Sequence, residues 1–116
     1  MMENGSGKII HMADVGGLNP WSAYVPYCVA KAGLIALTKG MAKALAPAIQ
    51  VNAIAPATVL PPENSTHEEI HQLVRKIPLQ RIGEPADVVS TVLYLLEGTD
   101  YVTGQVLVVD GGRTLG

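Results

Sequence analysis

Ile49-Gln50-Val51-Asn52-Ala53-Ile54-Ala55 is a β-branched, apolar run stopped by Pro56. It lacks the strict alternation of a half-exposed strand, and such a run suits a strand buried on both faces of a parallel sheet. Just before it, Ser22 to about Leu45 reads as a helix. Ala30, Leu34, Leu37, Met41 and Leu45 recur there at spacings of three and four and give one apolar stripe. Pro26 is tolerated only in the first turn of that helix, and Pro47 ends it. Further upstream, Gly5-Ser6-Gly7 leads into Lys8-Ile9-Ile10-His11-Met12, an apolar run of the same kind. Asp14 to Ser22 is a loop rich in turn residues.

Downstream of Pro56, Thr58 to Asn64 reads as an extended loop containing Pro61-Pro62. Ser65-Thr66-His67-Glu68 has the spacing of a capping box and opens a short helix toward Arg75. Gly83-Glu84-Pro85 starts another helix, with Pro85 suited to its first position and Asp87 favoured by the dipole of its first turn. That helix closes near Gly98. Val106-Leu107-Val108-Val109 is a third buried strand, ended by Asp110-Gly111-Gly112. The order β-α-β-α-α-β predicts an α/β fold with three parallel strands and flanking helices. Three strands leave a parallel sheet short, and no Gly-rich turn joins a strand to a helix near the start. The chain therefore reads as the second half of a doubly wound fold, with the Lys8–Met12 strand as an uncovered edge.

The chain has 116 residues, 48% hydrophobic and 16% charged, with a mean hydropathy of +0.28. That balance excludes a disordered polyelectrolyte and is apolar for a free-standing domain of this size. The net charge is −2, and scattered Lys and Arg give no basic face for nucleic acid. No apolar run is long enough for a membrane span, and the start lacks the features of a signal peptide. One cysteine, Cys28, excludes an internal disulfide and a multi-cysteine zinc site. A cytoplasmic setting is the expectation.

Tyr27 and Lys31 stand four residues apart on the predicted helix and share a face. Lys31 opposes the helix dipole, whereas Lys39 and Lys43 agree with it. An ammonium near a phenol lowers the phenol's pKa and makes it a usable acid or base. The same spacing also suits a packed tyrosine beside a solvated lysine, so the context decides. That context is a buried strand, Asp14 just beyond it, Tyr27-Cys28-Val29-Ala30-Lys31-Ala32-Gly33-Leu34, then Val51-Asn52-Ala53-Ile54-Ala55-Pro56 and Asp110-Gly111-Gly112.

Across these motifs the sequence resembles the short-chain dehydrogenase/reductase family, over essentially all 116 residues. The resemblance implies the C-terminal portion of a Rossmann-type sheet, residues 1–116 being the catalytic half, with the dinucleotide-binding half absent. It implies an NADP cofactor, NADPH in the reductive direction, with NAD the lesser alternative. Tyr27 then matches the catalytic proton donor, and Lys31 the residue that lowers its pKa and holds the nicotinamide ribose. Pro56, Ala57, Thr58 and Val59 match the segment along the nicotinamide, where the family usually has Pro-Gly and Ala57 departs from it. Asp14 replaces the usual serine and looks like the pteridine reductase branch. The implied substrate is a small molecule, a pterin or dihydrofolate, and the implied assembly is a dimer or tetramer. A generic 3-oxoacyl reductase and an inert association module remain alternatives.

Other candidates carry less. His11, within a strand, reads as a core histidine. His67 and His71 share a helix face with Glu68 nearby, but no further ligand is apparent, so no metal is expected. Cys28 reads as a small packed residue, and Arg113 could reach a neighbour or a substrate.

Overall fold

The computed structural model describes residues 5–14, 25–57 and 64–115. In order these form β1 (Gly7–Met12), α1 (Val25–Leu45), β2 (Ile49–Pro56), α2 (His67–Arg75), α3 (Pro85–Leu93) and β3 (Val106–Val109). A π-type turn, Tyr94–Gly98, extends α3, and a short 3-10 turn follows β3 at Arg113–Leu115. The sheet is parallel, in the order β1-β2-β3. Gly7 to Met12 pair with Ile49 to Ile54, and Ala53 to Pro56 with Val106 to Val109. The α/β reading with three parallel strands and flanking helices is what the chain adopts.

Burial on both faces holds for β2, where every residue from Val51 to Ala55 is buried. It does not hold for β1 and β3. Among the described residues each pairs on one side only, and Met12 and Val108 are exposed. A three-stranded sheet has one interior strand, so its outer strands keep open edges.

Successive side chains of β2 point to opposite faces. Ile49, Val51, Ala53 and Ala55 meet α1 through two apolar clusters, with Ala42 in one and Ile35 in the other. The buried face of α1 is Cys28, Ile35, Thr38 and Ala42. This corrects the expected stripe. Leu34, Met41 and Leu45 flank the core, but Ala30 and Leu37 face outward. α1 is apolar around much of its circumference, so spacing alone does not select the face that the sheet covers.

Helix starts follow local chemistry. Thr66, rather than Ser65, caps α2, its Oγ1 accepting from the Glu69 N–H at 3.1 Å. The cap moves one residue along because Glu69, not Glu68, occupies the third helical position. At α3 the capping pair is Glu84 and Asp87, with Pro85 at the start as expected. On the second face of the sheet, Lys8 Nζ donates to the carbonyls of Leu96 and Thr99 and pairs with Asp100 at 3.0 Å. That ammonium ties β1 to the end of the π-type turn.

The Asp110-Gly111-Gly112 turn is built by its aspartate. The Asp110 carboxylate accepts from Gly112 N, Thr114 N and Thr114 Oγ1. Burial works against its ionisation, but these three bonds outweigh it and hold the carboxyl below its ordinary value. Gly112 has φ +91°, and a Cβ there would lie 2.9 Å from Pro78 Cγ. Gly112→Ala is therefore expected to destabilise the chain by about 2 kcal/mol, through the left-handed backbone and the collision together. Urea unfolding checks this; an unchanged midpoint contradicts it.

Candidate active site

β1 carries the first site residue to the edge of the sheet. The Ala13 N–H donates to Ile54 O at 2.8 Å, so the chain stays paired until the residue before Asp14. Tyr27 is the third residue of α1 and Lys31 follows one turn later. Tyr27 Oη donates to Asp14 Oδ2 at 3.3 Å. Lys31 Nζ donates to Met12 O at 3.3 Å and stands 5.7 Å from the centre of the Tyr27 ring, within cation–π range. The structure thus brings Asp14, Tyr27 and Lys31 together at the carboxyl end of β1. Tyr27 is 45% exposed, open enough to reach a ligand.

The electrostatics correct one expectation. Desolvation of the phenol, followed by the charge and hydrogen bond of Asp14, raises the Tyr27 pKa above its ordinary value. A lowering by Lys31 was expected. The ammonium lies over the ring and spends its hydrogen bond on Met12 O, while a carboxylate faces the hydroxyl. Tyr27 is therefore a fully protonated donor at neutral pH.

Pro56 ends β2, the strand beside β1, and Ala57 follows it, its N–H held by Val109 O at 3.0 Å. Thr58 and Val59 lie outside the described residues. An exposed phenol, an ammonium and a small side chain at adjacent strand ends suit the ribose and ring of a nicotinamide nucleotide. The phenol and the ammonium offer donors to ribose hydroxyls.

The remaining candidates separate cleanly. Thr38 Oγ1 gives its proton to Leu34 O, so its 2.8 Å contact with His11 Nδ1 requires that nitrogen to donate. His11 is a satisfied histidine that pins β1 to α1. Cys28 is buried in the core face of α1. His67, Glu68 and His71 are exposed, and no metal-binding group of three His, Cys, Asp or Glu occurs among the described residues.

Two features escaped the sequence reading. Asn52 is buried and its side chain binds the 102–105 loop from both ends of its amide. Arg81 makes a two-pronged pair with Asp87, both contacts 2.9 Å. This pair and the Glu84 N–H hold the Asp87 carboxyl down at about 2. The dipole preference of Asp87 was legible; its partner, six residues upstream in a loop, carried no periodic signal.

A phenol, a carboxylate and an ammonium stand together at the carboxyl end of the parallel sheet of an α/β protein. A family model described as Enoyl-(Acyl carrier protein) reductase matches residues 1–114. The human 3-oxoacyl-[acyl-carrier-protein] reductase is 38% identical over 116 residues, covering 99% of this chain and 48% of that protein. The short-chain dehydrogenase/reductase homologue YusR of Bacillus subtilis is 34% identical over 116 residues, covering 99% of this chain and 89% of YusR. A crystal structure of an actinorhodin polyketide ketoreductase variant with NADPH superposes with a TM-score of 0.88 at 33% identity, over 97% of this chain and 49% of that one. The chain belongs to the short-chain dehydrogenase/reductase family. Apart from YusR, it spans about half the length of these relatives.

Proposed function

We propose that this chain supplies the catalytic half of an NADPH-dependent reductase acting on pteridine-like substrates. The observation that carries the reading is the Asp14 carboxylate bonded to the Tyr27 hydroxyl. A carbonyl reductase develops negative charge on the substrate oxygen, and a carboxylate beside it opposes that charge. A pterin instead presents N–H donors that a carboxylate accepts, and its reduced ring nitrogen takes up a proton.

A nicotinamide cofactor, when bound, supplies the hydride. Lys31 holds the ribose and keeps a positive charge beside the ring of Tyr27. Tyr27 donates its proton to the ring nitrogen. Asp14 orients the pterin by accepting from its N–H groups. Exposed Val29 and Leu37 on the outer face of α1 support assembly into a homo-oligomer.

A second reading, reduction of 3-oxoacyl thioesters, is favoured by the similarity to the human 3-oxoacyl-[acyl-carrier-protein] reductase. Asp14→Ser separates the two in a two-half enzyme whose C-terminal half is this chain. Pterin kcat/KM is expected to fall roughly 100-fold, and thioester turnover to hold or rise. Pterin turnover unchanged by the substitution contradicts the proposal.

A further inference from the structure

α2 carries a motif that the proposed reaction leaves unused. His67-Glu68-Glu69-Ile70-His71 has the H-E-x-x-H pattern, which on a helix sets two imidazoles on one face for a transition metal ion. The pattern has that meaning only where a helix forms, and α2 runs from His67 to Arg75. Its first turn is fixed by the Thr66 cap, and the Ile70 N–H donates to Thr66 O at 3.0 Å. Residues four apart on such a turn are neighbours, about 5–6 Å between Cβ atoms.

The histidines are open to an ion. Ile70, Leu73 and Val74 form the half-buried side of α2, whereas His67, Glu68 and His71 are exposed. Among the described residues neither imidazole is held by a hydrogen bond or an ion pair. His11, by contrast, commits its Nδ1 to Thr38. Glu68 and Glu69 also lack a cationic partner among the described residues. Glu68 neighbours both histidines, so its carboxylate favours a cation between them, and Arg75, one turn beyond His71, works against it. Two carboxylates outweigh that one guanidinium.

We infer that His67 and His71 form a two-histidine chelate on α2 for a divalent late transition ion such as zinc. Structural zinc sites use four protein ligands and catalytic ones three, and the expectation against a metal rested on those numbers. A helical pair is a weaker and open chelate, with water in the other positions. Imidazole suits zinc, copper and nickel, whereas magnesium and calcium take oxygen ligands. Because the ion binds the pair only when it is helical, it also clamps α2. The inference is independent of the reductase reading.

Zinc chloride titrated into the untagged chain, followed by calorimetry and by imidazole chemical shifts, tests it. One saturable site is expected, with shifts at His67 and His71 and none at His11, and magnesium chloride is expected to move none of them. His67→Gln and His71→Gln change exposed side chains and leave the fold intact. Each keeps one imidazole of the pair and is expected to weaken zinc binding roughly tenfold. Moving the second histidine along by one residue, His71→Gln with Gln72→His, keeps the histidine count but takes that imidazole off the shared face, so the same loss is expected. Absence of saturation, shifts centred on His11, or parental affinity in the moved-histidine variant would overturn the inference.

Discussion

Tyr27→Phe is expected to lower the kcat of a two-half enzyme built on this chain about 1,000-fold, with KM for the substrate little changed. The phenol is the proposed proton donor, beside the carboxyl end of β1, its hydroxyl bonded to Asp14 at 3.3 Å. General acid catalysis by a positioned side chain contributes about 10²–10⁴-fold. Phenylalanine keeps the ring that lies under Lys31, so packing and the cation–π contact survive while the proton is lost. Steady-state kinetics separate the two effects. A Tyr27→Phe enzyme with near-normal kcat would show that the proton comes from elsewhere.

The largest expected effect on stability belongs to Asn52→Leu. Asn52 lies in β2, is buried, donates to Val102 O at 2.9 Å and accepts from Gln105 N at 3.0 Å. Leucine fits the strand and its apolar surroundings, but leaves both backbone groups of the 102–105 loop without their partner. Each such loss costs about 1–3 kcal/mol, so a total of about 3 kcal/mol is expected. For a chain of this size that lowers Tm by roughly 10 °C or more. The neighbouring bonds, Val51 N–H to Thr103 Oγ1 and Gly104 N–H to Val51 O, hold the same loop and limit the loss to this range. A thermal melt within a degree or two of the parent would contradict the assignment.

Strands and helices were legible because each rests on local chemistry. The apolar runs at Lys8–Met12, Ile49–Ala55 and Val106–Val109 became the three strands, and Pro85 and Asp87 marked the start of α3. The buried face of α1 was not legible. Leu37 and Ile35 are equally apolar, and only the position of the sheet decides that Ile35 goes inside. The site was legible to the extent that helix geometry brings Tyr27 and Lys31 together. Its electrostatics were not, because the effect of Asp14 on Tyr27 depends on a contact across thirteen residues of chain. Likewise Arg81 and Asp87 meet through a loop whose path no spacing rule describes.

The ratio of kcat/KM for dihydrobiopterin to that for a 3-oxoacyl thioester, measured on the same NADPH-supplied two-half enzyme, decides between the two substrate classes. Asp14 next to Tyr27 favours a substrate with N–H donors and a nitrogen to protonate, and disfavours one that develops an oxyanion. A ratio well above one is expected, with dihydromonapterin or dihydrofolate behaving like dihydrobiopterin. A ratio below one, with the thioester the better substrate, would contradict it.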